Sequence, residues 1–237
     1  MEDSTIAFMR DLEMRYRQAA GLTDRSQYKI FYGPIRRADI LVLGINPGGE
    51  PTNMLPNGVD YKDGIRIGAA SASYYENDEN DLLDCRWREN NVLKLLTPLI
   101  GGNREQVRGR VVKTNVAFRR SSNVSKIDVE KAKSETEQFL REIIDVVQAK
   151  LILLTGVKLE DFGARYCREW SPIGGDPVRD EDVKQTVFAA ARMTLLPSDR
   201  EVLGIQVAHA SQFSWTYERY GGVDLIKALE NRPNGLC

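Results

Sequence analysis

Three polar residues stand at the ends of apolar runs: Asn46 after Ile40-Leu41-Val42-Leu43-Gly44-Ile45, Asn115 after Val111-Val112-Lys113-Thr114, and His209 after Val202-Leu203-Gly204-Ile205-Gln206-Val207-Ala208. Runs this rich in branched residues read as buried strands of a parallel sheet. In open α/β sheets, ligands bind outside the carboxyl ends of the strands. Two amides and the only imidazole of the sequence would therefore meet one sheet edge, where chemistry usually happens. Each also has a plainer reading. Asn46 and Pro47 suit a tight turn, and a lone histidine is more often structural than catalytic.

Several chemistries are excluded by what surrounds these residues. Gly44-Ile45-Asn46-Pro47-Gly48-Gly49 is neither a Walker sequence nor a dinucleotide fingerprint. A Gly-x-Ser-x-Gly nucleophile turn is absent. The three cysteines, Cys85, Cys167 and Cys237, fit no zinc or iron–sulfur spacing, and their odd number argues against a disulfide framework. A metal site would have to be built from carboxylates, and no such cluster is evident.

The elements that must position these residues alternate. A helix is expected over residues 5–20, stopped by Gly21. Strands are expected over 39–44, 111–116, 151–155 and 202–208. Helices are expected over 86–99, 128–147, 159–170, 183–192 and 223–229, and a long loop over 50–84. Alternating strands and helices predict an α/β fold of three layers, α/β/α, around a central four-stranded parallel sheet. No linker or repeat divides the chain, so one domain over 1–237 is expected, with 1–35 as a helical lead-in and 36–217 as the core.

With 237 residues, 42% apolar and 28% charged, the composition is that of an ordinary globular protein. No apolar run approaches the ~20 residues needed to cross a bilayer. The acidic start is unlike a signal peptide, so a reducing cytoplasm is the expected setting. The net charge of −1 gives no global signal for nucleic acid. Arginines do cluster at 36–37, at 104, 108 and 110, and at 119–120; each cluster is most simply a solvated surface.

Gly44-Ile45-Asn46-Pro47-Gly48 resembles the first motif of the uracil-DNA glycosylase superfamily. Thr114-Asn115-Val116 is similar to its second-strand segment, and His209-Ala210-Ser211-Gln212-Phe213-Ser214 resembles its His-Pro-Ser-Pro-Leu-Ser motif. The three occur in the family's order over residues 36–217. The pattern is mixed, an Asn-type first motif with a His-type last one, and Ala210 replaces the usual Pro.

The resemblance implies a uracil-DNA glycosylase-like fold and a monofunctional DNA glycosylase using neither metal nor organic cofactor. Asn46 would position the attacking water by orientation, since an amide is no strong base. His209 would donate to the carbonyl oxygen of the departing base, as an oxyanion hole does. Asn115 would read the base edge, within a pocket completed by Gly44, Ile45, Pro47 and Gly48. Tyr61 would stack on the base, with Tyr74 and Tyr75 as competitors; any of them could instead anchor the long loop. Ser211 and Ser214 would grip phosphates, joined by Arg119 and Arg120. Phe213 would fill the gap left by the flipped nucleotide, or else simply pack in the core. The expected partner of a monomeric chain is DNA, single- or double-stranded, carrying uracil or a modified or damaged pyrimidine. Three alternatives stay open: a glycosylase for hypermodified bases in foreign DNA acting in defence, a non-catalytic nucleic-acid binder, and an unrelated α/β enzyme acting on a small nucleoside.

Overall fold

A computed structural model describes residues 4–23, 27–47, 54–55, 59–62, 65–66, 110–121, 127–180 and 185–208. The chain forms two compact units, each discontinuous in sequence. The first takes Met1–Arg36, Ile45–Asn80 and Val112–Val147; the second takes Arg37–Gly44, Asp81–Val111 and Gln148–Cys237.

The first unit is organised by two helices. Helix α1 (Ser4–Ala19) turns Met9, Leu12, Glu13 and Tyr16 inward, a spacing of three and four that places them on one face. It stops where Gly21 takes φ +63°, a conformation that L side chains rarely adopt. Helix α2 (Val129–Val147) starts at Asp128, whose Oδ1 accepts the Lys131 amide at 2.9 Å, and buries Ala132, Thr136, Phe139, Ile143 and Val147. The Arg15 guanidinium joins the helices by a fork to the Glu142 carboxylate at 2.8 and 2.6 Å. Between them, the Tyr16 ring meets Tyr28, Phe118 and Phe139 edge-on at 5.6, 5.1 and 5.5 Å. Three short strands, β2 (Met54–Leu55), β3 (Val59–Lys62) and β4 (Ile65–Arg66), make a small antiparallel sheet in the order β2-β3-β4. They fall within residues 50–84, for which the sequence predicts a loop.

In the second unit, β1 (Ile40–Gly44), β6 (Leu151–Thr155) and β9 (Glu201–Val207) run parallel, with Ile40 opposite Leu151 and Leu151 opposite Leu203. Every residue of β1 and β6 is buried. Burial of both faces requires the unbroken apolar runs seen in the sequence. Helix α3 (Leu159–Tyr166) follows β6, and its first amide is capped by the buried Gln206 side chain of β9, Leu159 N–H to Oε1 at 2.8 Å. Then come β7 (Cys167–Asp180) and β8 (Gln185–Leu195), a long antiparallel pair whose second strand also pairs antiparallel with β9. With β5 (Val111–Asn115), the strands form one six-stranded sheet in the order β5-β1-β6-β9-β8-β7.

The α/β class is therefore as expected, but the four-stranded parallel sheet is corrected to a mixed sheet of six. The helix expected over 159–170 ends at Tyr166, and the one expected over 183–192 is strand β8. Alanine at 189–191 favours a helix on propensity, but pairing overrides it. Gly204 lies opposite Ala191 on β9, and a Cβ there would stand 2.4 Å from Met193 Cε, so the Met193 side chain takes the space that the glycine leaves open. Likewise a Cβ on Gly163 would stand 2.7 Å from the Trp170 indole: β7 folds back with Trp170 lying on α3. The helices expected over 86–99 and 223–229 lie outside the described residues.

Candidate functional site

The turn after β1 and the segment after β5 form one hydrogen-bonded corner of the first unit. Ala117 N–H donates to the Ile45 carbonyl at 2.9 Å, and Ser121 N–H to the Pro47 carbonyl at 3.1 Å. The half-buried Asn46 closes the corner: its Nδ2 donates to the Pro47 carbonyl at 3.0 Å and the Ser121 carbonyl at 3.3 Å. Both partners can only accept, so chemistry fixes which end of the amide is nitrogen. The remaining polar atom, Oδ1, is an acceptor. It can hold a water by one of its protons, and it cannot remove that proton. Gly44 and Pro47 are buried and Ile45 is half-buried; Gly48 lies outside the described residues.

Asn115, the last residue of β5, lies two residues before the Ala117 rung, so both asparagines flank the same strand end. It is 2% exposed, and its Nδ2 donates to the Tyr32 hydroxyl at 2.9 Å. Nδ2 carries two protons, so a donor–acceptor pair with Oδ1 is still chemically available. Nothing in the sequence pointed to Tyr32, which is 83 residues away.

Arg119 and Arg120 are built into the unit. Glu135 takes Arg119 Nε at 2.5 Å and Nη2 at 3.0 Å, and Nη2 also reaches the Ala20 carbonyl at 3.1 Å. The Glu135 carboxylate holds the Arg119 guanidinium even more firmly protonated than usual. Arg120 is 8% exposed, and its amide donates to the Gln27 carbonyl at 2.8 Å. Behind them, burial pushes the Tyr16 phenol well above the usual tyrosine range, against the opposing pull of the Arg119 charge. The i, i+16 pairing of Arg119 with Glu135 carries no sequence signal, because it depends on α2 folding back over the strand end.

In the second unit the parallel strands bring Gly44, Thr155 and Val207 to one edge: Thr155 Oγ1 donates to the Leu43 carbonyl at 3.1 Å, and Gly156 N–H to the Val207 carbonyl at 2.8 Å. His209 follows two residues after β9. His209, Ser211, Phe213, Ser214, Tyr74 and Tyr75 lie outside the described residues. Tyr61 sits on β3, paired with Arg66 of β4. Among the described residues, no group of three or more His, Cys, Asp or Glu could hold a metal, and no helix is long and apolar enough to cross a membrane.

No protein-family model matches the chain, and no curated protein matches its sequence.

Proposed function

We propose that the chain is a monofunctional DNA glycosylase that hydrolyses the N-glycosidic bond of uracil or a modified pyrimidine after flipping the nucleotide out of the stack. The observation that carries this reading is Asn46, held at a strand end by two backbone carbonyls with Oδ1 as its remaining polar atom. The three ordered motifs support it from the sequence side. Unreachable inside a duplex, the sugar–base bond is exposed by flipping. The C1′–N bond breaks ahead of water attack and its electron pair leaves with the base. Water on Asn46 Oδ1 then adds to the oxocarbenium-like sugar and loses a proton to solvent. Orientation without strong basicity suffices for that order of events. His209 donates to the base carbonyl as negative charge develops, and Asn115 reads the base edge beside Tyr32. The reading carries with it a uracil-DNA glycosylase-like core, DNA as partner, a monomeric chain and a cytoplasmic setting.

The test is incubation with DNAs carrying different bases, followed by alkali cleavage and gel analysis, with strand scission expected on at least one substrate. A second reading, a non-catalytic binder of nucleic acid, is favoured by the burial of Asn115. It predicts tight binding to modified or abasic DNA without scission.

A further inference from the structure

Asn46 and Asn115 are both held through Nδ2, but by different chemistry. The partners of Asn46 are carbonyl oxygens, which can only accept. The partner of Asn115 is the Tyr32 hydroxyl, at 2.9 Å, and a hydroxyl can accept or donate. Backbone pairing brings these two residues together. Tyr28 forms an antiparallel bridge with Arg119, Lys29 N–H donates to the Phe118 carbonyl at 2.9 Å, and Arg120 N–H to the Gln27 carbonyl at 2.8 Å. Thr114 Oγ1, next to Asn115, donates to the Ile30 carbonyl at 2.7 Å. The segment that leads to Tyr32 is thereby laid along the end of β5, within the first unit.

A hydroxyl alone would take either end of the amide, so burial has to decide. Asn115 is 2% exposed, and among the described residues Tyr32 is the one hydrogen-bonding partner of its side chain. A carboxamide carries two N–H donors and one oxygen with two lone pairs. In a buried site, an N–H without an acceptor is less tolerated than a carbonyl lone pair left unused. Nδ2 therefore turns one proton to the Tyr32 oxygen. Its other proton and Oδ1 make an edge of fixed order, with the donor on the Tyr32 side. A half turn of the amide would reverse that order and leave an N–H without an acceptor.

Pyrimidines differ in this order. A 4-oxo pyrimidine such as uracil presents N3–H beside an oxygen, whereas a 4-amino pyrimidine such as cytosine presents a bare N3 beside an amino group. An amide of fixed order makes two hydrogen bonds with one of them and sets donor against donor with the other. We propose that Tyr32 is a positioning residue that locks the Asn115 amide and so commits the pocket to 4-oxo pyrimidines. The choice of class follows from Asn46. An amide cannot pull a proton from water, so the base has to leave as an anion, and a ring with two carbonyls carries that charge better than one with an amino group. The inference rests on the base-reading role of Asn115 proposed above, and the choice of class rests in addition on Asn46.

The test uses the full chain, wild type and Tyr32→Phe, and adenine oligonucleotides carrying one 2′-fluoro-2′-deoxyuridine or one 2′-fluoro-2′-deoxycytidine. Each is used as a single strand and as a duplex in which that nucleotide faces an abasic site, so that neither base has to be unpaired. The fluorine withdraws electrons from the sugar and keeps the base attached, so binding is read without excision. Wild type should bind the uracil DNA tighter than the cytosine DNA by about 5- to 150-fold, the scale of one bidentate base contact. In Tyr32→Phe either orientation of the amide leaves an N–H without an acceptor, so this ratio should fall by about fivefold or more. Melting confirms that the variant folds. A merely structural role would weaken both DNAs alike; an unchanged ratio overturns the lock, as does a wild type that prefers cytosine or binds both equally. In the free protein, the Asn115 side-chain amide protons should exchange with solvent faster in Tyr32→Phe, and unchanged exchange overturns the lock whatever the DNA result. If neither DNA binds tighter than one with adenine at that position, the base-reading role and the specificity drawn from it fail together, while exchange still judges the lock. The two failures are thus told apart.

Discussion

Asn46 Nδ2 and the Ser121 carbonyl oxygen meet at 3.3 Å across 75 residues of sequence. This bond, with its companion to Pro47 at 3.0 Å, makes the amide part of the frame that holds the strand end rather than a free surface group. Asn46→Ala removes both. The expected stability loss is about 1–2 kcal/mol, small enough to leave the protein folded. Excision should fall by about 100-fold, the scale of losing a positioned reactant. Melting and single-turnover scission, measured on the same preparation, separate the two effects.

The carboxylate variant probes the same contacts by sign. Asn46→Asp turns two donors toward carbonyl oxygens into acceptors. The charged form is then disfavoured in the folded state, which raises the carboxyl pKa there. The variant should therefore be most stable when protonated and lose stability as pH rises from about 4 to about 8, across the carboxyl range. Thermal melting through that window, with wild type as reference, checks it. A flat difference would mean that the amide does not face Pro47 and Ser121.

Arg119 and Glu135 form the other frame bond near the strand end. With side chains 30% and 17% exposed, the pair is partly screened, and Arg119→Ala should cost about 1–3 kcal/mol through the lost charged hydrogen bonds. A double-mutant cycle with Glu135→Ala should return a coupling of at least about 0.5 kcal/mol. Additive effects would show that the fork does not persist in solution.

Tyr16 gives a pH dependence of its own. Burial raises its folded pKa, so the unfolded chain releases the phenolic proton first as pH climbs past about 10. Stability due to this group is complete below that pH. Above it, stability falls by up to about 1.4 kcal/mol per pH unit. Tyr16→Phe should flatten this part of the alkaline stability curve, as read by urea unfolding between about pH 9 and about pH 11. An unchanged slope would place the phenol in contact with water.

The sheet edge can be tested through Gly163. Gly163→Ala sets a methyl against the Trp170 indole, at 2.7 Å from its nearest atom. Overpacking of this kind costs about 1–3 kcal/mol. Trp170, already 36% exposed, should be displaced toward water, with red-shifted tryptophan emission. Neutral behaviour would mean that β7 does not fold back on α3.

Much of the architecture is legible before folding is considered. Ile40–Gly44 and Leu151–Thr155 are unbroken apolar strings because both of their faces are buried, and α2 announces itself by spacing alone. The β7–β8 pair is not legible. Its alanines favour a helix locally, and the residues that override this by pairing, Ile173 on β7 and Ile205 on β9 opposite Ala190, are not its neighbours in the sequence. At the site, Asn46 and Asn115 are visible as polar residues ending apolar runs. Tyr32 and Ser121 become partners of the two asparagines only through long-range closure, which leaves no periodic trace. Arg119 and Arg120 look like a surface pair in sequence, yet one is forked to Glu135 and the other is buried.

Alkali cleavage of a panel of end-labelled DNAs, each carrying one candidate base, is the most direct measurement of the central claim, run with wild type and Asn46→Ala side by side. The account predicts scission at one candidate base or a related few by the wild type, and about 100-fold slower scission by the variant. An intact panel with wild type, or full activity in Asn46→Ala, would contradict it.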